Sequence, residues 1–231
     1  MILMKTLPPP PASLISRRLA AGLPVIDPRG NRSLAYQAAK RLLDIVGSLV
    51  LILIMSPVML TLLIVLAITT RGKPLFWQRR AGHLGKTFLM AKFRTMRLDA
   101  DKVKHTVANE CTGPVYKNRR DPRVTRLGRI LRKTSLDETP QLFHVLFGQM
   151  SLVGPRPLDV REVARFAPWQ ARRLAVKPGL TCLWQVSGRS DVGFAEWSRM
   201  DLWYVRNQGL LTDLALLCRT PFSVLSCKGA Y

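Results

Sequence analysis

The chain reads as an α+β protein, mainly helical, in which a re-entrant membrane helix hairpin precedes a small cytosolic domain with interfacial amphipathic helices. Three observations predict this. Residues 45–70 form a run of 26 positions without a charge, interrupted near its middle by Ser56-Pro57. Basic residues flank the run on both sides. Beyond it the pattern becomes mixed, with two extended stretches and several helical-period segments closed by glycine and proline.

A length of 231 residues leaves room for one compact domain plus a membrane element. With 36 Lys and Arg against 14 Asp and Glu, the formal net charge of +22 calls for polyanionic partners: nucleic acid, anionic lipid head groups, or nucleotide and lipid phosphates. No nucleic-acid-binding module is readable, and basic charge beside a bilayer needs no nucleic acid. Cys111, Cys182, Cys218 and Cys227 show neither C-x-x-C spacing nor histidines at zinc spacing, and read as isolated reduced thiols. His83, His105 and His144 are scattered and form no catalytic pattern.

Residues 1–35 read as a disordered, basic, proline-rich tail. Pro8 to Pro11 cannot continue a signal-peptide apolar core, so no cleaved secretory signal is expected. Residues 36–72 form the membrane element. The uncharged run exceeds the roughly 20 residues a spanning helix needs. Pro57 removes a backbone donor mid-run, and Ser56 is placed to satisfy backbone groups that the proline frees. Lys40 and Arg41 precede the run, and Arg71 and Lys73 follow it. Positive residues prefer the cytoplasmic side, and a hairpin that enters and leaves on that face satisfies both flanks. Each half would reach roughly 20 Å, short of the ~30 Å hydrocarbon core. A kinked spanning helix is the alternative.

Residues 73–231 form the cytosolic domain. Residues 74–78 read as extended and 87–96 as a second strand or a bend, with Gly82 and Gly85 in the loop between them. A helix is expected over Met96–Val107, a loop over 108–122, and helices over Val124–Arg132 and about Thr139–Phe147. The stretch Leu210–Leu225 is an amphipathic helix suited to an interface.

The most informative neighbourhood is Ser135-Leu136-Asp137-Glu138. Two adjacent carboxylates stand close to Arg132 and Lys133 in a strongly basic chain. Beside a helix start they suit a divalent cation and attack at phosphorus. Ser135 with Glu138 three residues on also matches a capping box, which would leave Asp137 unexplained. In Gly154-Pro155-Arg156-Pro157, two prolines hold an arginine in extended backbone, as a phosphate clamp requires, although a plain surface turn has the same pattern. Trp184 suits either base stacking or the core.

Together these blocks resemble the bacterial sugar transferases, the monotopic phosphoglycosyl transferases or polyprenyl-phosphate hexose-1-phosphate transferases. The resemblance covers roughly residues 37–231. It rests on Lys40-Arg41 with Asp44, Ser56-Pro57, Gln78-Arg79 with Gly82, Lys92-Phe93-Arg94-Thr95-Met96, Asp121-Pro122-Arg123-Val124-Thr125, Leu131 to Glu138, Val153-Gly154-Pro155-Arg156-Pro157, and Trp184-Gln185-Val186 with Gly188-Arg189. Cys182 stands where the family usually has glycine.

The resemblance implies that 73–231 is a catalytic domain at the cytosolic face of a bacterial inner membrane. It implies transfer of sugar-1-phosphate from a UDP-sugar to undecaprenyl phosphate through a covalent aspartyl intermediate, with release of UMP, in exopolysaccharide or O-antigen assembly. Asp137 would be the nucleophile and Glu138 a ligand of Mg²⁺. Arg132, Arg156, Lys92, Arg94 and Arg189 would bind phosphates. Implied partners are the UDP-sugar, the lipid acceptor and an anionic membrane; a homodimer is compatible. The contrasting readings are a non-enzymatic basic membrane-surface adaptor and an inactive scaffold.

Overall fold

The computed structural model describes residues 33–110, 115, 118, 120–188 and 193–226. The expected tail at 1–35 therefore lies almost wholly outside the described residues, as does Arg189.

Helix α1 spans Leu34–Thr69 and opens on Ser33, whose hydroxyl accepts the Tyr36 N–H at 3.2 Å. It is 36 residues long, about 54 Å at 1.5 Å per residue. Among the described residues it alone is long and apolar enough to cross a membrane. The helix continues through Ser56-Pro57. Pro57 cannot donate to the carbonyl four residues back, and the Ser56 hydroxyl donates to that same Leu53 oxygen at 2.8 Å. The serine thus replaces the bond the proline removes.

Both ends of α1 pack on the rest of the protein. In the first half, the buried Asp44 Oδ1 accepts from Ser151 Oγ and from the Leu152 N–H, each at 2.9 Å. At the far end Leu66 is buried with Phe93 and Leu131. Between these anchors, Leu53, Ile54 and Leu60 stand out with no protein over them, Leu53 being 75% exposed. An uncovered apolar surface of this size calls for a non-aqueous neighbour.

Strands β1 (Leu75–Ala81) and β2 (Thr87–Phe93) overlap the two expected extended stretches and pair as an antiparallel hairpin. Its loop uses left-handed backbone at Leu84 and Gly85. Directly paired residues share a face, so Phe76 with Lys92 and Arg80 with Phe88 point the same way. The expected helix over 96–107 does not form. Only a 3-10 turn at Lys104–Thr106 is present, and the rest is turn. Met96 is held extended by a bridge to Val124, and Arg97 N–H donates to the Arg123 carbonyl. Leu98 and Val103 are exposed, so a helix here would have no apolar face to bury.

Helices α2 (Arg126–Thr134) and α3 (Gln141–Leu146) flank the acidic pair. Strand β3 (Ser151–Val153) pairs in parallel with β4 (Gly179–Thr181). Gly154 and Gly179 sit against each other so closely that a Cβ on either would strike the other's backbone. Short helices α4 (Val160–Val163), α5 (Pro168–Ala171) and α6 (Leu183–Val186) lead to α7 (Phe194–Asn207) and α8 (Leu210–Ser226). One core gathers Leu158, Val163, Phe194 and Trp197 around Trp184, whose ring centroid lies 4.5 Å from that of Trp197. Trp184 is therefore a core residue. Helix α8 turns Asp213 and Leu216 inward and Leu211, Phe222 and Leu225 outward, Leu211 being 84% exposed. That outward face has the apolar character expected of an interfacial helix.

Asp44→Ala leaves the Ser151 hydroxyl and the Leu152 N–H buried without their acceptor. The expected loss is about 2–4 kcal/mol, read by thermal unfolding in detergent, with a smaller loss for Asp44→Asn.

Candidate active site

The acidic pair sits at a helix-to-helix corner. Thr125 caps α2, its hydroxyl accepting the Gly128 N–H at 2.9 Å. At the other end Ser135 adopts left-handed backbone with φ 59°, which ends the helix. Its N–H then closes on the Arg132 and Leu131 carbonyls. The capping box expected of Ser135 and Glu138 is absent: Ser135 terminates α2, and its side chain caps nothing. The 3-10 turn Leu136–Glu138 follows, carrying both carboxylates, and Pro140 opens α3.

Glu138 faces Arg156. Arg156 Nη1 donates to Glu138 Oε2 at 3.0 Å, and Nη2 donates to Oε1 in a two-pronged pair. The Arg156 segment is held at three successive carbonyls. The Gly179 N–H donates to Pro155 O at 2.9 Å, Arg173 Nη2 to Arg156 O at 2.7 Å, and Arg80 Nη1 to Pro157 O at 3.1 Å. Arg173 is itself buried and paired with Asp201 at 2.8 Å. The extended arginine expected between two prolines is therefore observed, braced from three directions.

The remaining cations close around the pair. Lys92 reaches in from β2. Its strand is positioned by His144, whose Nε2 accepts the Ala91 N–H at 3.0 Å while Nδ1 donates to Gln149 Oε1. Arg132 donates from Nε to Thr95 Oγ1 at 3.0 Å. Arg123 grips Asp121 through both carboxylate oxygens at 2.6–3.2 Å, and this buried pair stands behind Arg132.

The two carboxyls respond in opposite directions. Burial, and then the Glu138 charge, push Asp137 up to about 6, against the pull of Lys92, Arg132 and Arg156. Burial would also raise Glu138, but Arg156, joined by Lys92 and Arg80, outweighs it and holds Glu138 below the usual range. Burial brings Lys92 down to about 8, and lowers Arg132. A buried, partly protonated carboxyl beside an ionised one, ringed by cations, is suited to a group that reacts with an anionic substrate.

Of the residues predicted for the site, Asp137, Glu138, Arg132, Arg156 and Lys92 come together. Arg94 is directed elsewhere: it donates to the Lys73 and Leu75 carbonyls and covers the Phe76 ring. It ties α1's exit to the hairpin. Arg80 is absent from the predicted set, yet it is half-buried, braces Pro157, and feels the Glu138 and Arg156 charges. Its signal was the two-residue period of β1, which puts Arg80 on the Lys92 face. Cys182 has extended backbone (φ −139°), which any residue adopts, so replacement of the family's glycine costs no strain. No cluster of three or more metal-ligating side chains occurs among the described residues.

The family model for bacterial sugar transferases matches residues 35–227. The chain belongs to the bacterial sugar transferase family. It is 44% identical over 199 residues to an undecaprenyl-phosphate galactose phosphotransferase of Salmonella typhimurium, covering 83% of this chain and 41% of that one. It is 42% identical over 200 residues to a UDP-galactose-lipid carrier transferase of Erwinia amylovora, with the same coverage of 83% and 41%. The chain thus spans less than half the length of these two transferases. Against the exopolysaccharide production protein ExoY of Rhizobium meliloti it is 38% identical, covering 84% of this chain and 88% of ExoY. The family assignment takes in all of the structure described above, membrane helix and carboxylate turn alike.

Arg156→Ala leaves the half-buried Glu138 carboxylate without its partner. The protein should lose about 1–3 kcal/mol of stability, read by denaturant unfolding. Arg156→Met combined with Glu138→Gln should recover much of the loss in a double-mutant cycle.

Proposed function

We propose that the chain transfers sugar-1-phosphate from a UDP-sugar to undecaprenyl phosphate, with Asp137 as nucleophile. The observation that carries this is Asp137 itself: a buried carboxyl raised to about 6, among Lys92, Arg132 and Arg156 and beside the ionised Glu138. Similarity to the undecaprenyl-phosphate galactose phosphotransferase of Salmonella and the UDP-galactose-lipid carrier transferase of Erwinia supports the transfer.

An ionised Asp137 oxygen attacks the phosphorus that bears the sugar. A P–O bond forms, the bond to the bridging diphosphate oxygen breaks, and UMP leaves. A phosphate oxygen of the lipid then attacks the same phosphorus and displaces the Asp137 carboxylate, giving the sugar diphospholipid. Arg132 and Lys92 offset the charge that builds on the transferring phosphoryl oxygens. Arg156 keeps Glu138 ionised at working pH.

The donor set also fits Mg²⁺. This cation takes one or two carboxylates and completes its octahedron with phosphate oxygens and water. Glu138 retains lone pairs beyond the two that Arg156 engages, and Asp137 adjoins it. Bound there, Mg²⁺ supplies neutralisation of the diphosphate.

The setting is the cytosolic face of a bacterial inner membrane. Support comes from the uncovered apolar flank of α1, the apolar outer face of α8, and basic residues at both ends of α1, which suit anionic lipid. Because both ends of α1 pack on one domain, we take α1 as entering and leaving on the same side, bent at Pro57. The adaptor reading needs only surface charge and gives no reason to set a carboxylate pair within a ring of arginine and lysine; against an inactive scaffold stands the intact Asp137-Glu138 pair.

Purified protein in detergent, given a UDP-sugar panel, undecaprenyl phosphate and Mg²⁺, should release UMP. Asp137→Asn should abolish release, and full residual activity would rule out the nucleophile. The acid limb of the rate profile should have its midpoint near pH 6, because Asp137 must be ionised to attack. Lys92 favours the ionised form, so Lys92→Met should move that limb to higher pH. Cysteines placed at Ala35 and Lys73, in a chain whose native cysteines are replaced, should react with an impermeant reagent from one side of the membrane only. Reaction from opposite sides would mean a spanning helix.

A further inference from the structure

The two faces of β3 look onto different spaces. Leu152 shares a cavity with Leu136 and Glu138 of the carboxylate turn. Ser151 and Val153 point the other way, onto a second cavity of about 200 Å³. Its other walls are the first turns of α1, His83 of the hairpin loop, residues 175–177 and the end of α7. None of the residues that the proposed reaction uses lines it.

Lys40, Arg41 and Lys177 bring positive charge to this cavity, and Asp44 is the one acid that lines it among the described residues. These charges are not equally engaged. Lys40 pairs with Asp213, behind the wall, at 3.0 Å. Arg41 donates to the Val145 and Leu146 carbonyls. Lys177 is half-buried, and its ammonium has no hydrogen bond or ion pair among the described residues. Its backbone is fixed all the same. The Pro178 carbonyl accepts the Ser151 N–H at 2.8 Å, and a Cβ on Gly154 would lie 2.5 Å from the Lys177 carbonyl oxygen. Burial, and after it the Arg41 charge, lower Lys177. Burial also lowers His83, and Lys177 and Lys86 add to that. With Asp213 included, three cations face two carboxylates, an excess of one positive charge.

An unpaired, half-buried ammonium over such a cavity suits a monoanion with oxygen acceptors. The location narrows the choice. Asp44 immediately precedes the uncharged run, so the cavity lies where α1 enters the bilayer, at head-group depth. Gln208, on its wall, stands two residues before α8, whose Leu211 and Leu214 face outward without cover. We propose that this cavity binds the phosphodiester of an anionic phospholipid, with Lys177 as its ion partner and the acyl chains along the outer face of α8. A free phosphate presents the same oxygens but, as a dianion, exceeds the single excess charge. Occupied, the site joins the entry of α1, β3 and the hairpin loop through one ligand. The inference rests on the membrane setting of α1 and is independent of the transfer reaction.

Two measurements test this. In the first, the parent protein in neutral detergent is treated with an amine-acylating reagent, and the reaction at each lysine is read by peptide mass spectrometry. Phosphatidylglycerol should slow acylation of Lys177 by about five-fold or more, and that of the exposed Lys102 by less than about two-fold. Phosphatidylcholine, whose head group carries its own cation, should protect Lys177 little. Equal protection by phosphatidylcholine overturns the proposal, as does equal protection of Lys102 and Lys177. Protection by inorganic phosphate at the same concentration assigns a free phosphate and overturns the lipid.

The second measurement is phosphatidylglycerol binding by native mass spectrometry. Lys177→Gln should raise the apparent Kd about ten-fold, and Lys177→Arg should stay within about three-fold of the parent. An unchanged Kd in Lys177→Gln overturns the proposal. Neither measurement involves turnover, so failure of UMP release leaves both readable, and their failure leaves the transfer reaction standing.

Discussion

Drawing a guanidinium and a carboxylate part-way out of water is costly unless each finds its partner with good geometry. The pairing of Arg156 with Glu138 meets that condition, and much of the domain is arranged around it. Its backbone is held at three consecutive carbonyls by donors from β4, from the 3-10 segment containing Arg173, and from β1. Arg173 is tied to Asp201 on α7. A single ion pair therefore draws together the hairpin, the parallel strand pair and the penultimate helix. The cations that would meet a diphosphate are set by the same framework: β2 carries Lys92, and Thr95 just beyond it orients Arg132.

The membrane element is anchored by the opposite strategy. Its middle is left bare, and its two ends are fixed. Near the amino-terminal end, Lys40 bonds the buried Asp213 at 3.0 Å and the Val153 carbonyl at 3.1 Å, and Tyr204 OH donates to the same Asp213 at 2.7 Å. Arg41 donates to the last carbonyls of α3, those of Val145 and Leu146, at 2.8 and 2.6 Å. The basic pair that reads in the sequence as a membrane flank is thus mostly a structural lock. It sets α1 relative to β3, α3 and α8.

What could be read in the sequence followed local rules. The extended stretches on either side of the Gly82–Gly85 loop, the helix before Ser135, the short helix after Pro140 and the amphipathic carboxyl-terminal helix all announce themselves by period and punctuation. Ser56 as the substitute donor beside Pro57 was also legible, because the freed carbonyl lies one turn back. The failures came where a distant partner decides. Met96–Val107 has helix-forming residues, but its backbone is taken by Val124 and Arg123. Ser135-x-x-Glu138 has the spacing of a capping box, yet Glu138 is claimed by an arginine 18 residues further on. Arg94 looked like part of an electropositive pocket, while Arg80, which is part of it, was hidden in a strand. No local pattern records which of several arginines faces inward.

Adjacent residues in one 3-10 turn are separated by about 120° around the axis, so neighbouring carboxyls there face different surroundings. Asp137 looks into a buried space where its strongest influences are desolvation and its own neighbour. Glu138 looks onto Arg156. The same pair on an exposed helix would titrate together as ordinary acids. Placing them in this turn holds Glu138 below the usual carboxylate range and raises Asp137 to about 6. The left-handed Ser135 is what makes this possible, since it stops α2 after Thr134 and lets the turn begin. The division of roles between two chemically similar side chains thus traces back to one backbone conformation, held by the N–H of Ser135 on the final carbonyls of α2.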